Sequence, residues 1–183
     1  MWKILAIAAV AAGTAQSQVL WDEVVDGDLG DMTSNDDAPT FLGNLGVGAN
    51  IVRGTTAPIA MGDLADAFSF TVPVGLSLQS VVLTAYSTAD GGPGTSGIVF
   101  YDSLGGSSGL FLGGASYGAA DVGTDTLFVS TGLTDFGPGD LAISVREFGG
   151  PDATWELTLN VVPAPASAAL LGLGGLAAAR RRR

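Results

Sequence analysis

An all-β fold, a single antiparallel β-sandwich of jelly-roll type, is what this sequence of 183 residues predicts. Three observations carry that reading. Glycine is abundant, at 28 residues, and in the body of the chain it is spaced between segments rather than gathered in one tract. The segments it separates are rich in β-branched and aromatic residues and often alternate apolar with polar side chains, the period of a strand with one face in a core. No stretch of the body repeats its apolar residues at helical spacing.

The strands follow in order as residues 19–25, 50–55, 67–72, 78–86, 98–102, 126–130, 141–148 and 154–161. The alternation is cleanest in three of them. Phe68, Phe70 and Val72 share one face, as do Leu141, Ile143 and Val145, and likewise Trp155, Leu157, Leu159 and Val161. Opposite them stand Ser69 and Thr71, Ser144 and Arg146, and Glu156, Thr158 and Asn160, which places those faces in water. Turn chemistry separates the runs at Pro73-Val74-Gly75, Asp90-Gly91-Gly92-Pro93-Gly94, Gly137-Pro138-Gly139-Asp140 and Gly149-Gly150-Pro151-Asp152. About 145 residues form this body, the size of one domain with a real core.

Composition narrows the chemistry. With no cysteine and no histidine, Ser-His-Asp and Cys-His catalysis, zinc fingers, iron–sulfur clusters and disulfides are excluded. The seven basic residues are Lys3, Arg53, Arg146, Arg180, Arg181, Arg182 and Arg183, whereas all 18 acidic residues lie between Asp22 and Glu156. Residues 18–162 therefore carry two basic residues against 18 acidic ones, a net of −16. That surface repels phosphate backbones, so nucleic acid is not a partner.

Both ends read as addresses. Residues 1–17 place Lys3 ahead of an apolar run at 4–12, with small residues at Ala15 and Ser17. This is the order of a signal-peptide helix, removed by signal peptidase after Ala15 or Ser17. Residues 162–183 hold Val162, Pro163, Ala164 and Pro165, then an apolar run at 166–179, then Arg180, Arg181, Arg182 and Arg183. As a hydrophobic helix that run reaches roughly 21 Å, short of a bilayer core of roughly 30 Å, which suits a transient anchor. The arginines hold the terminus on the cytoplasmic side and leave the sandwich, residues 18–161, on the far side.

The tail resembles the PEP-CTERM sorting signal of Gram-negative and related bacteria, in which a Pro-Glu-Pro-like motif, an apolar helix and a basic end are recognised by an exosortase. Ala164 stands where that motif has Glu. The resemblance implies an inner-membrane-anchored precursor, an exosortase-type sorting protease as partner, and a secreted or cell-surface product. Within the body, the stretch Gly62-Asp63-Leu64-Ala65-Asp66-Ala67-Phe68-Ser69-Phe70-Thr71-Val72-Pro73-Val74-Gly75, followed by Leu78 to Leu83, and the later Gly137-Pro138-Gly139-Asp140-Leu141-Ala142-Ile143 resemble motifs of bacterial pre-peptidase C-terminal (PPC-like) domains. That family implies a small extracellular β-sandwich and no reaction.

Candidate sites are few. The acidic segment 22–37 offers Asp22, Asp26, Asp28 and Asp31 as oxygen ligands for Ca²⁺, against the competing reading of a solvated acidic loop. It is not an EF-hand, because Gly30 takes a ligand position and no Glu closes the loop. Asp63 and Asp66 form a smaller candidate of the same kind. Gly105-Gly106-Ser107-Ser108-Gly109 spells a nucleophile elbow, but the chain has no histidine to serve it. Trp21, Tyr86, Tyr101, Tyr117 and Trp155 are the pool for stacking on sugars, with Trp155 assigned to the core by its parity and Tyr117, in a glycine-rich stretch, expected at the surface. The sequence thus points to a non-enzymatic, exported surface or matrix protein. The alternative is an extracellular binding module for Ca²⁺ or polysaccharide.

Overall fold

The computed structural model describes residues 16–31, 39–57, 65–92, 94–105, 109–147 and 151–164. Its strands are β1 (Gln18–Asp22), β2 (Gly30–Asp31), β3 (Thr40–Asn44), β4 (Gly48–Thr56), β5 (Ala65–Val72), β6 (Leu76–Thr88), β7 (Thr95–Asp102), β8 (Leu110–Gly118), β9 (Gly139–Glu147) and β10 (Ala153–Pro163). A short helix α1 (Glu23–Asp26) follows β1, and a 3₁₀ turn (Ala119–Asp121) and helix α2 (Thr126–Thr131) separate β8 from β9. One sheet runs β1-β4-β10-β6 and the other β2-β5-β9-β7-β8, with β3 also pairing β5.

The pairs nest. β4 pairs with β10, β5 with β9 and β7 with β8, all antiparallel. This is one long hairpin with its tip between β7 and β8, folded over so that β4, β6 and β10 lie in one sheet and β5, β7, β8 and β9 in the other. That is the winding of a jelly roll, as expected. A further pair in the nest would join β6 to the chain between β8 and β9. Here the chain makes α2 instead, and two isolated antiparallel bridges, Leu78 to Phe136 and Val82 to Asp125, mark the absent strand.

Residues 126–130, expected as a strand, therefore form a helix, and its caps explain why. The Asp125 carboxylate accepts from the Leu127 and Phe128 N–H groups, and Gly132 closes the helix in the left-handed conformation at φ 75°. Cap chemistry at both ends outweighs the β-branched content between them. Residues 23–25 likewise turn into α1, because the Asp22 side chain accepts from the Val24 N–H and ends β1. Three strands, β2, β3 and β8, lie outside the expected set.

The core contains the three alternating faces that the sequence marked, with Phe68, Phe70, Leu141, Ile143, Trp155, Leu157 and Leu159 all buried. The Trp155 and Phe68 rings stack with centroids 6.2 Å apart and planes 16° apart. One expected outer face is not in water, since Ser69 and Ser144 are also buried. The parallel pairing of β3 with β5 brings chain beside Ser69, and the Arg146 side chain reaches over Ser144, its Nε donating to the hydroxyl at 3.2 Å.

Candidate functional site

The acidic residues converge where β1 and α1 meet β4, β10 and the start of β5. Arg53 of β4 is the organising cation. Its Nε donates to Glu156 Oε2 at 2.6 Å and its Nη1 to Asp22 Oδ2 at 3.3 Å. The Thr84 hydroxyl donates to the other Glu156 oxygen at 2.6 Å. Burial pushes the Glu156 carboxyl up, but the Thr84 and Arg53 hydrogen bonds and the guanidinium charge outweigh it, so the group sits below its ordinary value. A cleft of about 290 Å³ opens beside this pair, between Val24, Thr55, Ala85 and Thr154.

Glu23 points the other way, into the body. Its Oε1 accepts from the Leu29 N–H at 3.0 Å and its Oε2 from the Thr55 N–H at 2.6 Å. The first bond sets Leu29 into the core, where it is 1% exposed. Glu23 also approaches the buried Asp66, whose Oδ2 accepts from Trp155 Nε1 at 2.9 Å. Burial raises the Glu23 carboxyl above its ordinary value and the charge of Asp28 adds to this, while the bonds from Leu29 and Thr55 and the neighbouring Asp66 side chain pull the other way without cancelling it.

Glu23, Asp28 and Asp66 each bring one carboxylate oxygen within 4.8 Å of the others. Calcium–oxygen bonds run about 2.3–2.6 Å, so one ion could touch all three. Chemically the trio can share a proton or exchange it for a hard divalent cation.

Of the four aspartates expected as Ca²⁺ ligands, Asp28 joins this group and the described Asp22 and Asp26 do not. Asp22 caps α1 and pairs with Arg53. Asp26 accepts from the Asp22 N–H at 2.9 Å. Asp31 pairs through its backbone with Asp66, and its side chain lies outside the described residues, as does Asp63. Asp66 joins Asp28 because β2 runs antiparallel to β5, a long-range pairing that spacing along the chain does not reveal. Glu23 was visible only as one acid in a run, and nothing in the sequence singled out Arg53.

No protein-family model matches the sequence. No curated protein matches it either. Among solved structures the chain is similar to the pre-peptidase C-terminal domain of a collagenase from Bacillus anthracis, with 16% identity, 67% of this chain and 93% of that chain covered, and a TM-score of 0.34.

The remaining expected residues divide between described and undescribed chain. Val162 and Pro163 continue β10, opposite Ser77 and Leu76. The Ala164 N–H donates to the Gly75 carbonyl at 2.8 Å. Pro165, Arg180, Arg181, Arg182 and Arg183 lie outside the described residues, as do residues 1–15 and 106–108. Among the described residues no helix is long and apolar enough to cross a membrane.

Tyr117 is not at the surface. It is 2% exposed, because its hydroxyl meets Ser130 Oγ at 2.6 Å and donates to the Thr126 carbonyl at 3.2 Å as α2 packs over it. With Tyr86 and Trp155 also buried and Tyr101 packed edge-on against Phe111, the described aromatic pool forms no exposed row for stacking on sugars.

Proposed function

We propose that the chain is an exported, non-enzymatic surface or matrix protein, anchored briefly by its C-terminal segment and released by an exosortase-type protease. The observation that carries this reading is where the sandwich stops. Every described strand lies between Gln18 and Pro163, past residues 1–17 and reaching only the first two residues of the 162–183 segment read from the sequence. Val162 and Pro163 are held in β10 and the Ala164 N–H is bonded to Gly75. A protease needs extended chain free of such pairing, so the scissile bond falls at or beyond Ala164-Pro165. Mass spectrometry of the protein from its native host is expected to find a mature N-terminus near residue 16 or 18 and a C-terminus at or just past Ala164. An intact end with all four arginines would sink the sorting role.

A second reading, an exported Ca²⁺-binding module, is favoured by the approach of Asp28 to Glu23 and Asp66. Binding to the folded state alone stabilises by about 2.7 kcal/mol at a ligand excess of a hundred times Kd. For a chain of this size that corresponds to a rise in Tm of roughly 5–10 °C. Calorimetry of the full chain is expected to show such a rise with CaCl₂ and to lose it in Asp28→Asn. A Tm that ignores Ca²⁺, or a rise that survives Asp28→Asn, would remove this reading.

A further inference from the structure

A sheet edge is a row of unpaired backbone N–H and C=O groups, and folded chains protect such rows. This sandwich protects three of its four. Along β6 the Leu78 N–H and C=O both bond Phe136 at 2.8 Å, and those of Leu83 bond Thr124 at 3.1 Å and Gly123 at 2.8 Å. Between them the Val81 N–H donates to the Asp125 carboxylate at 3.1 Å and its carbonyl accepts from the Thr126 hydroxyl at 2.8 Å. At the other edge of that sheet, β1 has five residues, ends on the charged Asp22 and slips register between Val19 and Trp21. Being short, charged and irregular are all devices that discourage further pairing. In the second sheet the outer edge of β5 is taken by β2 and β3 in turn.

The fourth edge is β8, the least protected: it slips register at Leu112 and the Asp121 carboxylate takes the N–H of its last residue, Gly118, at 2.8 Å, but it is neither short nor, among the described residues, covered by a further strand. It is nine residues long and, among the described residues, its strand partner is β7 alone. From residue 103 to 120 the chain has no charged residue and no proline, the two side-chain types that guard edges elsewhere. Leu110 and Phe111 are 68% and 60% exposed. Beside β8, α2 leaves Phe128 and Val129 more than half exposed.

We propose that β8 is a self-association edge, pairing antiparallel with β8 of a second copy of this chain about a two-fold axis. Charge selects the occupant. Two bodies of net charge −16 repel across any face that carries carboxylates, and the charge-free strip along β8 is where two copies meet without opposing like charges. A basic partner would instead be drawn to the carboxylates and away from this strip. An isologous pair also requires nothing beyond the strand itself, because an antiparallel strand is its own complement under a two-fold.

Sedimentation equilibrium of the full chain in mild detergent tests the idea. The expected result is a dimer that Phe111→Lys weakens at least tenfold and Phe111→Leu preserves. The chain has no cysteine, so single cysteines placed in turn at Leu110, Gly114 and Ser116 report on the contact independently. Oxidation is expected to give disulfide-linked dimer concentrated at the position nearest the two-fold. If Phe111→Lys does not fold, the cysteine series decides. A monomer at all concentrations, an assembly indifferent to Phe111→Lys, or cross-linking equal or absent at all three positions would each overturn the proposal.

Discussion

Gly54→Ala is expected to lower the stability of the fold by about 1–3 kcal/mol, a large effect for one added methyl group. Gly54 lies in β4 directly opposite Trp155 of β10. Its backbone is not in the left-handed region, so space rather than conformation requires the glycine. A Cβ at this position would overlap Cζ2 of the Trp155 ring and come within 2.8 Å of Asp66 Oδ2. The ring cannot drift without loss, because Phe68 stacks on it and its Nε1 donates to Asp66. If it holds its place, overpacking costs about 1–3 kcal/mol. If it swings aside, a buried bond to a carboxylate is lost, at about 1.5–3 kcal/mol. Urea unfolding should therefore show a lower midpoint at unchanged slope. In a Trp155→Phe background, where the smaller ring leaves room and the bond is already gone, the same substitution should cost much less. A loss below about 1 kcal/mol in the native background would mean that the ring has more freedom than its contacts imply.

The Gly54–Trp155 fit illustrates which features of this molecule sequence could reveal. Trp155 was placed in the core by parity alone, as were Phe68 and Ile143, because period-two burial is a local property of the strand. Its hydrogen bond to Asp66 depends on sheet topology and leaves no local mark. Glycine misled in the same way. The glycine-rich stretch around Gly113 and Gly114 suggested no strand and hid β8, yet Gly113 is a glycine of close approach: a Cβ there would run into the Ser130 carbonyl of α2. Only the packed helix makes that need visible. The acidic cluster was half legible. The density of carboxylates in 22–37 was plain, but Asp22 and Asp26 were absorbed by capping and by Arg53, and Asp66 entered from a strand nearly forty residues away.

Asp125→Ala carries the second large expectation, a loss of about 2–4 kcal/mol, because one carboxylate serves two structures at once. Its Oδ1 accepts from Leu127 and Phe128 at 3.2 and 3.5 Å, which starts α2, and from the Val81 N–H at 3.1 Å, which closes β6. Losing an N-cap costs about 1 kcal/mol. Stranding the Val81 amide costs about 1–3 kcal/mol more. Asp125→Asn keeps a carbonyl acceptor at the same place and should retain most of the cap, which separates the loss of the acceptor from the loss of the charge. Hydrogen exchange should locate the damage, with the Val81 amide and the α2 amides losing protection together while β5 and β9 keep theirs. If Val81 stayed protected in Asp125→Ala, the edge would be held by the Leu78 and Leu83 bonds alone, and α2 would be an ornament on the sandwich rather than the replacement for its absent strand. If protection is lost, β6 becomes an open edge in addition to β8, and the variant should associate in larger, open-ended assemblies than the parent.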